Sequence, residues 1–214
     1  MSRPKRERLT AARAVAVAME LLDADGIEGV TLRRLAAGLG VQVPALYRHF
    51  AGKQDLLDEL AQTIVSDGLA GLRGPDDPAD WQDWLRETAN RFHRALLSRR
   101  DGARIVAGAG PGRAQVLAQL TELTLRTLTD GGLGLESARW AAHTVFTFTL
   151  GYTIEEQAGP DSAAAQDPGI LVPRFPLIAD ALQRNSGADG YAEGLGFILA
   201  GIQLRAGRET RTVE

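Results

Sequence analysis

Apolar residues recur along this chain at intervals of three and four, the spacing that lines one face of a helix. Trp81, Leu85, Thr88, Phe92 and Leu96 step by four, three, four and four, one stripe of a long helix. Leu56, Leu57, Leu60, Ile64 and Val65 mark another helix, which begins near Lys53 and stops before Gly71 and Gly74-Pro75. Near the start, Leu9, Ala12, Ala16, Met19 and Leu22 set the inner face of a helix over about 10–24, ended by Gly26. A short helix is expected before Gly108, and a further one over about 113–129, ended by Gly131-Gly132. Residues 137–157 are apolar nearly all round, which predicts burial on several sides. Residues 159–173 read as a mobile loop, and two last helices come after it over 174–185 and 190–205. From Ala206 the tail is polar and expected to fray. No alternating pattern signals a strand, so the expected class is all-α.

The densest local signal is TLRRLAAGLGVQVPALYRHFAGKQDLL at 31–57. Thr31 suits an N-cap, because its hydroxyl can accept from a free first-turn amide. Leu32, Leu35, Ala36 and Leu39 give the following helix one apolar face. Gly40 can take the left-handed conformation that ends it. Pro44 suits the first turn of a second helix running toward Phe50. Leu46 and Phe50 then face inward, and Tyr47, Arg48 and His49 outward. Two short helices across a Gly turn make a helix-turn-helix, whose second helix enters the DNA major groove. The plainer reading is a helical hairpin inside a core. It leaves the clustering of Arg33, Arg34, Arg48, His49 and Lys53 without a reason.

Charge agrees with the DNA reading. Residues 1–53 hold nine basic and five acidic side chains, a balance of +4, which leaves −7 for the remainder of a chain whose total is −3. A basic end on an acidic body suits phosphate contact, although solvated charge runs are common. The 214 residues suffice for one or two domains with a sizeable core. There is no cysteine, and hence no disulfide or thiol chemistry. The basic N-terminus MSRPKRERL lacks the apolar stretch of a secretory signal, and no long uncharged apolar run could span a membrane. A cytoplasmic protein without a membrane partner is the expectation.

The quoted run resembles the tetracycline-repressor (TetR) family, with its Thr-initiated helix, Gly turn, Leu-Tyr-x-His-Phe and Lys-x-x-Leu-Leu. The resemblance continues through WQDWLRETANRFHRALLSRRDGARIV and FTFTLGYTIEEQ and covers nearly the full chain. It implies an all-helical homodimer with a helix-turn-helix DNA-binding domain at 1–52 and a ligand-binding and dimerisation domain at 53–214. By that resemblance Arg33 matches a base-reading arginine, and arginine bidentate to guanine is the commonest specific contact. Pro44, Tyr47 and His49 match positions that touch thymine methyls or phosphates, and Lys53 matches a phosphate-binding lysine. Packing against the core is the alternative for Tyr47. Val43, Ala45 and Arg48 occupy recognition positions where tetracycline repressors carry other residues, which implies a different double-stranded operator and allows Arg48 a further contact.

The effector site departs further. The family's metal-holding histidine falls at Val106, its polar asparagine at Thr88, its loop arginine at Gly110 and another pocket histidine at Thr147. Phe92 and Pro111 match pocket positions, and Glu155 matches an acidic residue that reaches the partner's site, with a plain surface carboxylate as its alternative. Valine cannot ligate a cation, and His49, His93 and His143 lack ligand spacing. The expectation is therefore a mainly apolar pocket with a few hydroxyls, no metal and no cofactor. The stretch from Gly108 to Arg113 lacks the strand and Gly-Lys-Ser/Thr ending of a phosphate loop. Glu155-Glu156 lack a companion catalytic group. The function expected is a repressor that binds a palindromic operator as a homodimer and is released by a small apolar effector. The alternative is a helical small-molecule carrier or enzyme reusing the fold.

Overall fold

The computed structural model describes residues 9–110, 114–159, 174–184 and 189–213. Among them the regular structure is helical: α1 (Ala11–Gly29), α2 (Leu32–Leu39), α3 (Val43–Leu46), α4 (Lys53–Gly68), α5 (Trp81–Leu97), α6 (Gly102–Ala107), α7 (Gln115–Asp130), α8 (Leu135–Ala158), α9 (Pro176–Arg184) and α10 (Gly190–Val213). The expected loop at 159–173 lies outside the described residues, apart from Gly159.

Local chemistry sets the boundaries. The Thr10 hydroxyl accepts from the Arg13 amide at 3.2 Å, and that of Thr31 from the Arg34 amide at the same distance. Gly40 ends α2 at φ 65°, ψ 32°, and Val41 N–H then donates to the Ala36 carbonyl at 3.0 Å. Gly26, at φ 71°, breaks α1 before a last turn that reaches Gly29.

The residues group into two compact units, 1–72 with 94–121 and 73–93 with 122–214. In the first, Leu35, Leu39, Leu46 and Phe50 are buried beside the inner faces of α1 and α4. Two glutamines fasten α4 to residues that follow α6. Gln54 donates to the Gly108 carbonyl at 3.3 Å, and Gln62 accepts from the Val116 amide at 3.0 Å. Near its end Gly68 lies so close to Ala95 that a Cβ there would come within 2.2 Å of the Ala95 Cβ. The α5–α6 corner grips the end of α1 with three consecutive side chains. Arg99 Nη1 pairs with Asp23 at 2.6 Å, Arg100 donates to the Ala24 carbonyl at 2.9 Å, and Asp101 accepts from Ile27 N–H at 2.9 Å.

The second unit is built on Trp81, Leu85, Leu128, Leu133, Ala138, Val145, Tyr191, Leu195 and Leu199. Burying each large side chain contributes about 1.5–3 kcal/mol relative to exposure. Glu209 of α10 reaches the start of α8, accepting from the Gly134 amide at 2.9 Å and from the Ser137 hydroxyl, with Arg205 Nε at 3.2 Å.

Four expectations are corrected. In α1 the buried face is Ala14, Val15, Ala18, Met19 and Leu22, while Ala12 and Ala16 are exposed. Helix α3 stops at Leu46 and the chain turns through 47–49, so the recognition helix is a single turn. Within one protomer helix α8 buries one face, on Ala138, Ala141, Ala142, Val145, Thr149 and Thr153, and leaves Trp140 half exposed. The tail does not fray at Ala206: α10 continues to Val213, with Glu209 tied to α8.

Candidate DNA-binding and effector sites

The helix-turn-helix belongs to the first unit, and its apolar residues are spent inward. Leu35, Leu46 and Phe50 are essentially inaccessible, which fixes α2 and α3 against α1 and α4. With those residues turned inward, the ones between them are left on the outside. Arg33, Pro44, Tyr47, Arg48, His49 and Lys53 are exposed, and Ala45 is partly so. Tyr47 is 57% exposed, which decides against core packing as its role. The two adjacent arginines of α2 have different fates. Arg34 forms an ion pair with Asp25, whereas Arg33 has no ionic partner among the described residues. His49 packs its ring 6.3 Å from that of Phe50 and keeps its outer face free. Lys53 opens α4, where Gly52 supplies no side-chain cap. Between them these exposed groups offer cations, a hydroxyl, an imidazole and small apolar side chains, the set needed for phosphates, base edges and thymine methyls.

The effector positions divide between the units. Val106 is buried in α6 of the first unit. Thr88, Phe92, Thr147 and Glu155 belong to the second. Pro111 lies outside the described residues. Phe92 is buried and meets Phe146 edge-on, with ring centroids 5.4 Å apart. Thr88 is wholly buried, and its hydroxyl finds no hydrogen-bond partner among the described residues. Thr147 and Glu155 are exposed on α8. No group of three or more His, Cys, Asp or Glu side chains that could hold a metal ion occurs among the described residues.

One constellation near these positions escaped the sequence pattern. His93 pairs with Glu156 at 2.8 Å and stacks on Tyr191 with ring centroids 4.0 Å apart. Tyr191 stacks in turn with Phe148, and its hydroxyl meets that of Thr149 at 3.1 Å. Glu156 therefore ties α8 to α5. The signal was spread over three distant helices, so no spacing rule could collect it.

None of the described helices is long and apolar enough to cross a membrane.

Comparison with known proteins agrees with this arrangement. Residues 14–60 match the bacterial regulatory proteins of the tetR family, and residues 74–206 match the tetracyclin repressor-like C-terminal domain. The chain is 39% identical over 197 residues to the class A tetracycline repressor protein from transposon 1721 of Escherichia coli, covering 89% of each chain. A solved variant of TetR from Acinetobacter baumannii AYE, in complex with minocycline, superposes with a TM-score of 0.72 at 34% identity, covering 93% of this chain and 99% of that one. BioQ, solved with its natural double-stranded DNA operator, gives 0.70 at 28% identity, covering 91% and 98%. With both family profiles matched and a relative of this identity over nine-tenths of its length, the chain belongs to the tetracycline-repressor family.

Proposed function

We propose that this protein is a ligand-responsive transcriptional repressor that binds a palindromic operator as a homodimer and releases it on binding a small, mainly apolar effector. The observation that carries the reading is the outward set Arg33, Tyr47, Arg48, His49 and Lys53 on an inwardly packed helix-turn-helix. Residues 1–52 are the DNA-binding domain, 53–214 the ligand-binding and dimerisation domain, and the protein works in the cytoplasm. Arg33 reads a base, Pro44 and Ala45 meet thymine methyls, and Tyr47, Arg48, His49 and Lys53 hold the backbone or neighbouring bases.

Each unit contributes its own effector positions: the first an apolar one at Val106, and the second the apolar Phe92, the hydroxyl of Thr88 and the exposed Thr147 and Glu155, while Pro111 is assigned by resemblance alone. Val106 replaces the histidine that would hold a metal, so the effector is not a metal chelate. Thr88 supports this: leaving a buried hydroxyl unpaired costs about 1–3 kcal/mol, and an effector oxygen would relieve it.

Release arises from packing inside the first unit. Helix α6 carries Val106, and α4 is bonded to the Gly108 carbonyl at the end of α6 through Gln54 and to Val116 of α7 through Gln62. A shift of α6 is passed to α4, whose first residue is Lys53. Two half-sites one helical turn apart need recognition helices about 34–36 Å apart. An effector that favours another spacing lowers operator affinity by its differential binding to the two states.

Dimerisation is supported by an apolar groove of about 440 Å³ on α8 and α10, lined by Trp140, Ala141, Phe197, Ile198 and Ile202. A second copy covers such a face by two-fold symmetry.

The experiment is a gel shift of the purified protein with the DNA flanking its own gene. A retarded band that resists competition by scrambled duplex is expected. Equal competition by scrambled duplex would overturn the reading.

A further inference from the structure

Resting on the operator reading above, we propose that Gln42 is a base-reading residue that selects adenine in each operator half-site. Gln42 immediately precedes α3, in extended backbone at φ −86°, ψ 146°, and is exposed. Its side chain makes no capping bond to α3, and its amide has no protein partner among the described residues. The contrast with α4 is informative, because Gln54 and Gln62 both commit their amides to intramolecular bonds. Gln42 is a long polar side chain held out from a packed turn with its hydrogen-bonding capacity unspent.

The three residues after it sharpen the assignment. Val43, Pro44 and Ala45 carry no side-chain donor or acceptor, so the turn of α3 can offer a base pair only methyl contact. Leu46 is buried. Hydrogen-bond readout by this part of the motif therefore falls to Gln42, with Arg33 on α2 and Arg48 beyond α3 on either side in sequence. A glutamine amide matches adenine in the major groove, donating to N7 and accepting from N6–H. The half-site expected is one in which Gln42 reads an adenine beside thymines whose methyls meet Pro44 and Ala45.

The test is selection from a duplex library with two randomised half-sites, using the full chain and its Gln42→Ala and Gln42→Glu variants. The Gln42 side chain is exposed and makes no hydrogen bond among the described residues, so both variants are expected to keep the wild-type melting temperature. Wild type should enrich a palindrome with one symmetric pair of adenines that Gln42→Ala no longer prefers, a loss of about tenfold at that position alone. Gln42→Glu should move the preference there toward cytosine, whose N4 amino group a carboxylate accepts. The same palindrome enriched by wild type and Gln42→Ala, with unchanged preference at every position, would overturn this assignment while leaving the repressor reading intact. Failure of wild type to enrich any palindrome would overturn both.

Discussion

The carboxylate of Asp101 accepts the backbone amide of Ile27 at 2.9 Å, a bond between residues 74 apart in sequence. It fills the gap left where Gly26 breaks α1, and it comes from a residue that is itself at φ 55°, in the left-handed region. Aspartate tolerates that region better than most residues. Asp101→Ala therefore loses an acceptor and adds backbone strain, and should cost about 1–3 kcal/mol. Asp101→Gly loses the acceptor alone and should cost less. Urea denaturation of both variants checks the order, and equal losses would show that strain plays no part.

Arg33→Ala should weaken specific operator binding by about 1–3 kcal/mol and relax preference at one base pair. Lys53→Ala should weaken all sequences alike and flatten the dependence of affinity on salt, as loss of one phosphate contact does. Titrations of operator and scrambled duplexes at several salt concentrations separate the two. Unchanged selectivity in Arg33→Ala would refute the base-reading role.

The two apolar residues Leu195 and Phe197 on α10 predict opposite kinds of damage. Leu195 is 1% exposed within the protomer and Phe197 is 79% exposed. Leu195→Asp should unfold the second unit. Phe197→Asp should leave a folded chain that no longer dimerises, seen as a monomer by light scattering at micromolar concentration. A wild-type monomer under the same conditions would contradict the proposed assembly.

Tetracycline with magnesium should neither raise the melting temperature nor release operator, because valine at 106 cannot complete a metal site. An uncharged apolar compound bearing one or two oxygens should do both. At a hundred times its dissociation constant such a ligand adds about 2.7 kcal/mol to stability. A thermal-shift panel with Phe92→Ala as control tests this, and a magnesium-dependent shift with tetracycline would overturn it.

Acid should release the tie between α10 and α8. The Ser137 hydroxyl, then the Gly134 amide and Arg205, hold the Glu209 carboxyl below its ordinary value of 4.5. A lowered folded value means the stabilisation is fully present above the unfolded value and fades as pH falls through the folded one. Glu209→Gln should therefore melt below wild type at neutral pH, and the gap should close in acid. A pH-independent gap would show that the charge is irrelevant.

Much of the helix-turn-helix could be read directly because its signals are local. Thr31 caps an amide three residues on, Gly40 turns the chain at its own position and Pro44 stands in the first turn of α3, so both ends of α2 and the start of α3 fall where they indicate. The inner face of α1 was misplaced because an alanine-rich stretch offers two registers. Ala14, Val15 and Ala18 win only once α2 and α4 are present to cover them. The persistence of α10 was not legible, since its anchor at Glu209 lies 72 residues from Ser137. Among effector positions, the burial of Phe92 was implicit in its stripe, whereas the unpartnered hydroxyl of Thr88 is a property of the packed surroundings.

Gly68 has a consequence for how α4 can travel. Its missing side chain brings the α4 backbone nearly onto Ala95 at the end of α5, with no interdigitated layer at that spot. Where ridges mesh, one helix can move along another only by jumping between discrete seats. A smooth bearing lets it rotate or glide by small amounts while separation still exposes apolar surface. Gly68 and Lys53 stand at opposite ends of α4, fifteen residues and about 22 Å apart, so a small rotation about the Gly68–Ala95 contact would carry Lys53 through the largest displacement on the helix.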